Sequence, residues 1–331
     1  MPRILFVKTS SLGDVVHNCP AVSDVARCVP GAVIDWVVEE SFAELAALHA
    51  AVRRVIPVAI RRWRGDLLAL ATWSEFGAFR ATLRDERYDA VIDSQGLLKS
   101  ALIAALARGR RHGFDRASAR EPFAARFYDD THAVQGTLHA VDRNRQLAAA
   151  ALGYRVDGPC DYGLRVTGEP PLQAQAPASS PASSPASSPY ALLFTMTSRD
   201  DKLWPEEQWR SLGSALASRG IPSLLPWGSE EERRRCARIA AAIPGAVVPR
   251  RMALAEIARL VRAAHCVVGV DTGLAHLAAA LEVPVAGIYC GSDPALTGLH
   301  GRGRLWNLGK AGQPPAVNEV LDVLPAPGTP A

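Results

Sequence analysis

Residues 267–282 read VVGVDTGLAHLAAALE, and the change of pattern inside them decides the fold. Val267, Val268 and Val270 make a short β-branched apolar run, the sign of a strand buried in a parallel sheet. From Leu274 onward the pattern turns helical, so Asp271-Thr272-Gly273 is a strand-to-helix turn. In an open α/β sheet such a turn lies at the carboxyl edge, where ligands bind. The helix it opens offers amides without internal partners and the positive end of a dipole, a setting suited to a diphosphate. Asp271 and Thr272 also suit helix capping, which needs no ligand.

Around that turn the alternation repeats. Residues 190–194 read as a strand, and Pro205 opens a helix that ends at Gly220. Residues 222–225 form the next strand, and Ser229 with Glu232 makes a capping box for the following helix. A helix over 254–264 leads into the quoted stretch. The last strand, 285–289, precedes the loop Gly291-Ser292-Asp293-Pro294. The front half shows the same rhythm, with strands expected at 4–7, 32–38, 52–60 and 90–93. Its helices are expected at 14–28, 42–50, 76–86, 97–107 and 139–152. This order predicts parallel sheets covered by helices on both faces.

Residues 177–189 read PASSPASSPASSP, which has no side chains able to build a core and should form an extended, solvated spacer. The expected organisation is an N-terminal domain over 1–170, a linker over 171–189, a C-terminal domain over 190–322 and a tail over 323–331. Two α/β halves with facing carboxyl edges give a cleft suited to two substrates.

Two domains also fit a chain of 331 residues. Hydrophobic content of 48% with 21% charged residues is that of a globular protein rather than a disordered one. A net charge of +4 permits an acidic partner without demanding one. Lysine occurs only at 8, 99, 202 and 310, and arginine supplies the other 33 of the 37 basic residues. The six cysteines form no CxxC pair and no metal-ligand spacing with histidine, which predicts buried free thiols in a reducing compartment. The apolar run before Lys8 is too short for a signal peptide, and no run reaches the roughly 18 residues of a membrane span. A cytosolic protein able to rest on a membrane surface is expected. There is no GxxxxGK[ST] loop, no GxGxxG at the first helix and no HExxH. The first two absences argue against an NTPase and a nicotinamide enzyme, and the third leaves no evident metal site of that kind.

Particular residues stand where chemistry would be done. Asp14 follows Ser10, Ser11 and Gly13 at the opening of the first helix. It is either a helix cap or a carboxylate able to take a proton from an acceptor hydroxyl. Thr197, Ser198 and Lys202 follow a strand at the same kind of edge, and Lys202 suits a phosphate. Glu230 is placed to hold ribose hydroxyls or to stabilise a first helical turn. His276 lies one turn into the helix after Gly273, as a phosphate or sugar donor or a structural histidine. Arg61, Arg62 and Arg64 form RRWR at a strand end, with Lys99 and Arg120 elsewhere in the same half. They read as a solvated basic loop or as a clamp for an acidic acceptor. Nucleic acid is disfavoured, because aromatic residues are only 6% of the chain and no nucleic-acid module is recognisable.

Seven segments together carry a resemblance. They are KTSSLGDVVHNCPA (8–21), DWVVEESFA (35–43), HAAVRRVIPVAIRRWR (49–64), YDAVIDSQGLLKS (88–100), SRDDKLWPEEQW (198–209), LPWG (225–228) and VDTGLAHLAAAL (270–281). With them the chain resembles the lipopolysaccharide heptosyltransferases of glycosyltransferase family nine, and within these the members that add the first heptose. The proline, alanine and serine repeat departs from the family, and Ser198 stands where a threonine is common. The resemblance implies a GT-B fold of two Rossmann-like domains facing a central cleft. It implies inverting transfer of L-glycero-D-manno-heptose from ADP-heptose to the inner Kdo of Kdo-lipid A, with no metal or other cofactor required. It further implies a peripheral protein, monomeric, on the cytoplasmic face of the bacterial inner membrane. By motif, Asp14 becomes the base and Lys202 stabilises the departing ADP. Thr197, Ser198, Lys202, Glu230, Met252, Asp271, Thr272, Gly273 and His276 would line the donor site. Arg61, Arg62, Arg64, Lys99 and Arg120 would clamp the acceptor. Transfer to the second heptose position and non-catalytic nucleotide-sugar binding are the alternatives.

Overall fold

The computed structural model describes residues 1–171, 189–197 and 199–326. Ser198 and residues 177–188 of the repeat therefore lie outside the described residues. The chain divides into two compact units, Met1–Arg165 and Val166–Ala331.

The first unit runs β1 (Arg3–Val7), α1 (Leu12–Cys28), β2 (Val33–Glu39), α2 (Ala43–Ala47), β3 (Val52–Val58), α3 (Ile60–Gly65), α4 (Leu70–Arg84), β4 (Arg87–Asp93), α5 (Leu98–Leu106), β5 (Arg108–Phe114), β6 (Asp130–His132) and α6 (Ala140–Leu152). Its six strands pair in parallel in the order β3-β2-β1-β4-β5-β6. Ile4, Leu5, Phe6 and Val7 are fully buried, as an apolar run at the centre of a covered sheet requires. One face packs Leu5, Val7, Val37, Ile56 and Val91 against Phe79, Leu83 and Ile103 of α4 and α5. The segment after α6 returns to the unit, where Leu164 bridges to His49 in antiparallel fashion.

The second unit runs β7 (Ala191–Phe194), α7 (Glu206–Ser218), β8 (Ser223–Leu224), α8 (Glu230–Ala240), α9 (Leu254–Arg262), β9 (Cys266–Val270), α10 (Gly273–Ala280), β10 (Val285–Tyr289), α11 (Pro294–Thr297), β11 (Leu305–Gly309) and α12 (Val317–Val323). Its five strands are parallel in the order β11-β10-β9-β7-β8. Alternate residues serve opposite faces. Ala191, Leu193, Val268, Val270, Ala286 and Ile288 join one apolar cluster, and Leu192, Phe194, Val267 and Val285 join the other. Trp204 and Trp209 meet edge to face at 5.0 Å in the first cluster.

Several expectations are corrected. RRWR is helical, within α3, because Ile60 and Trp63 on that turn pack against the apolar cluster beneath it. The strand over 285–289 is not the last, since β11 pairs with its outer side. Residues 323–331 do not begin as a free tail, for Leu324 is buried in the second unit's core. Pro205 is the N-cap of α7 rather than a first-turn residue. β5 and β6 had no counterpart in the pattern. Two of the three arginines in β5 are held by carboxylates, Arg111 by Asp129 at 2.5 Å and Arg110 by Asp130.

Gly113 in β5 is sterically required, because a Cβ there would run into the ring of Tyr128. The Tyr128 hydroxyl donates to Oδ2 of the fully buried Asp93 at 2.8 Å. Gly113→Ala should therefore destabilise the first unit by about 1–3 kcal/mol through overpacking. A thermal or urea transition read by tryptophan fluorescence checks this, and an unchanged midpoint would show that the ring yields freely.

Candidate functional site

In each sheet the strand order reverses once, and loops leaving adjacent strands at such a point diverge and leave room for a ligand. In the first unit the reversal falls between β1 and β4, so the loops after Val7 and Asp93 lie side by side. Gln95 clips them together. Its side-chain oxygen accepts from the amides of Thr9 at 3.0 Å and Ser10 at 3.2 Å, and its amide nitrogen donates to the Ser10 carbonyl at 2.5 Å.

Asp14 lies in the first turn of α1, not at its cap, and Ser11 is the N-cap. Its Oδ2 accepts from the Ser11 amide at 2.9 Å, and its carboxylate takes both Arg120 nitrogens, at 2.5 and 3.2 Å. Burial by itself would raise the Asp14 carboxyl. The Lys8 and Arg120 charges and the hydrogen bonds from Arg120 and Ser11 outweigh that and hold it far below the usual carboxylate range. Lys8 is 3% exposed and donates to the Ser94 carbonyl at 2.7 Å. Burial pulls its pKa down to about 8, with the Asp14 charge opposing. The cost of burying the Lys8 charge is therefore present below about pH 8 and is relieved as the pH rises from there toward 10.5.

The five cations expected to clamp the acceptor have different partners, although Arg64 and Lys99 line one cavity. Arg120 pairs with Asp14, and Lys99, in the first turn of α5, donates to Ser10 Oγ at 3.0 Å. Arg61, Arg62 and Arg64 ride on α3. The Arg61 guanidinium lies 5.5 Å from the Phe42 ring centroid. Arg62 is not a free clamp. It binds Glu40 at 3.0 Å and Glu75 at 2.7 Å, which occupies its whole fork.

In the second unit the reversal falls between β7 and β9. Lys202 Nζ donates to Asp271 Oδ2 at 2.6 Å, and Ser292 Oγ donates to the same oxygen at 2.6 Å. His276 Nε2 stands 3.7 Å from Oδ1, and Thr197 Oγ1 donates to the Asp271 carbonyl at 2.9 Å. Burial alone would raise the Asp271 carboxyl, but the bonds from His276, Lys202 and Ser292 hold it far below its ordinary value. Asp271 thus holds a cation rather than capping α10. Thr272 is the N-cap of α10 and makes no side-chain cap.

Thr197, Lys202, Asp271, Thr272, Gly273 and His276 are therefore gathered at one sheet edge. Glu230 takes the other path considered for it. Exposed at the first turn of α8, it pairs with Arg233 at 2.7 Å and Arg234 at 3.6 Å. Met252 packs against the apolar cluster that contains Ala275 and Ala279. Ser198 lies outside the described residues. Three residues of these clusters were missed. Ser292 follows β10 at the same edge, and that position was the available signal. Lys8 and Gln95 show their roles only once β1 and β4 are adjacent. Among the described residues no cluster of three or more His, Cys, Asp or Glu is placed to hold a metal ion.

Removing Arg120 should loosen the hold on Asp14. In Arg120→Ala the Asp14 carboxyl is expected to titrate about one pH unit higher or more, read by carbon-13 NMR. In the parent protein the Asp14 contribution to stability is full above its unfolded pKa of about 3.9 and lost as pH falls through the lower folded value. An unshifted Asp14 titration in the variant would deny Arg120 that part.

Residues 76–317 match the family described as "Glycosyltransferase family 9 (heptosyltransferase)". Lipopolysaccharide heptosyltransferase 1 of Escherichia coli (strain K12) is 45% identical over 305 residues, 92% of each chain. The solved structure of E. coli heptosyltransferase WaaC with ADP aligns with a TM-score of 0.85 at 42% identity, covering 97% of this chain and 98% of the other. The same enzyme with ADP-2-deoxy-2-fluoro heptose aligns with a TM-score of 0.82 over the same shares.

Proposed function

The chain belongs to glycosyltransferase family 9, the heptosyltransferases, and on that premise we propose how its residues carry out the transfer. It is a glycosyltransferase that moves heptose in lipopolysaccharide core assembly. The donor in our reading is ADP-L-glycero-D-manno-heptose and the acceptor the inner Kdo of Kdo-lipid A. The reaction is a single displacement that inverts the anomeric centre. Asp14 takes the proton of the acceptor hydroxyl as its oxygen attacks the anomeric carbon, and ADP departs with the bonding pair.

The observation that carries this reading is Lys202 held by Asp271 beside the amino end of α10. An ammonium has three donors, so Lys202 can keep Asp271 and still reach a diphosphate. With the amides of Thr272 and Gly273 it would meet the charge that grows on the leaving group. Asp271 and Ser292 act by fixing that ammonium. Lys99 and Arg120 lie near Asp14 and suit an acidic sugar such as Kdo.

We also place the protein on the cytoplasmic face of the inner membrane as a peripheral enzyme. The support is the exposed apolar group Leu67, Leu68, Leu70 and Trp73 beside the cations of α3. Among the described residues no helix is long and apolar enough to cross a membrane.

ADP release from ADP-heptose that depends on Kdo-lipid A tests the reaction itself. Preference for an acceptor already carrying one heptose would instead assign the second position. Asp14→Ala should lose transfer by about two to four orders of magnitude with its thermal transition retained. Near-normal turnover would remove the base from Asp14. Lys202→Met should slow the chemical step by about two to three orders of magnitude, comparable to losing one donor to a developing anion. A single-turnover rate equal to the parent's would deny Lys202 any part in leaving-group stabilisation.

A further inference from the structure

β3, α3, α4 and α5 of the first unit enclose an apolar cavity of about 480 Å³, walled mainly by Val58, Trp63, Leu67, Trp73, Phe76 and Leu102. Pockets that hold a small organic ligand span roughly 300–1,000 Å³. The wall is fixed rather than loose. Trp63 meets Phe76 and Phe79 edge to face, each at 5.8 Å, and its indole nitrogen donates to Glu75 Oε2 at 2.8 Å. At and around the mouth the apolar side chains stay in solvent, with Leu68 97% and Leu70 88% exposed. Leucines and tryptophans grouped this way mark a surface that is covered in use.

The rim says what covers it. Arg64 and Lys99 line the cavity, and among the described residues neither meets a carboxylate within ion-pair distance. Arg62 on the same helix is fully committed to Glu40 and Glu75, so the rim keeps two cations without a carboxylate beside a paired one. A hydrocarbon slot with two cations at its lip matches an amphiphile that has an acyl chain and an anionic head. Lys99 gives the direction. The same ammonium that borders the slot donates to Ser10 Oγ at 3.0 Å, in the loop that leads to Asp14. The slot is thus continuous with the acceptor end of the machinery.

We propose that this cavity is a subsite for one acyl chain of the acceptor lipid, with Arg64 and Lys99 at its phosphate. The assignment rests on the acceptor reading given above. It adds that the enzyme grips the lipid portion of its substrate directly, not only the sugar that is modified.

Calorimetric titration of the full-length protein with dodecyl phosphate and with butyl phosphate reads the slot without any turnover. Dodecyl phosphate is expected to bind with one-to-one stoichiometry and at least tenfold more tightly than butyl phosphate. Leu102→Glu, which places a charge in the wall, and Leu102→Trp, which fills the slot, should each weaken it at least tenfold. Leu102 is 48% exposed, so both variants are expected to keep the parent thermal transition. Equal binding of the two phosphates, or dodecyl phosphate binding unchanged in both variants, overturns the slot. In transfer assays the ratio of KM for acylated to deacylated acceptor should rise about tenfold in either variant. An unchanged ratio with lost pelleting on phosphatidylglycerol vesicles would give this face to bulk membrane and overturn the acceptor assignment. Parent enzyme that binds dodecyl phosphate yet transfers heptose to neither acceptor would sink the acceptor reading and leave the chain to another lipid.

Discussion

Strand order is the constraint on which both functional regions depend. A strand whose neighbours were laid down on opposite sides sends its following loop one way while the next loop goes the other. β1 beside β4 and β7 beside β9 create this situation once in each unit. At both places the polypeptide fills the opening with one half-buried carboxylate, Asp14 or Asp271, and holds it ionised with cations from a neighbouring segment. An unpaired carboxylate there would cost several kcal/mol of desolvation, so the cations are a condition of the fold as much as of the chemistry.

The two carboxylates are nevertheless used differently. Asp271 is saturated by Lys202, Ser292 and His276, and its effect is to aim the ammonium. Asp14 keeps one face toward a guanidinium and one toward a backbone amide, a less complete enclosure. Lys8 sits beneath it as a charge whose presence depends on pH in the ordinary working range. On our assignment the same element, a carboxylate at a strand-order reversal, serves as a mount in one unit and as a proton acceptor in the other.

Much of this was visible in the sequence because strand ends and helix starts carry local signals. The strand over 285–289 and the Ser229 capping box emerged as read, and Asp14, Lys202, Asp271 and His276 were flagged by their positions after strands. What stayed hidden depended on partners distant in sequence. β5 reads RGRRHGF, with arginines where alternation should be apolar, and Asp129 and Asp130 pair with two of them once the strand lies between β4 and β6. β11 and α12 are short, and neither carries a strong period. Lys8 carried no reading of its own in the sequence, and only the approach of Ser94, just after β4, shows that it is buried. RRWR looked like one basic cluster, yet helix geometry sends Arg62 to glutamates and Arg64 to the rim of an apolar wall.

The depressed pKa of Asp14 has a consequence for reaction timing. A carboxylate so reluctant to bind a proton cannot generate a free alkoxide in advance, since the equilibrium lies overwhelmingly toward the neutral alcohol. On our assignment of Asp14 as the base, proton loss must then ride on carbon–oxygen bond formation, falling due only as the nucleophile's oxygen becomes acidic late along the coordinate. On that assignment the hydrogen would be in flight at the rate-determining summit, and no naked oxyanion able to attack the wrong electrophile would form.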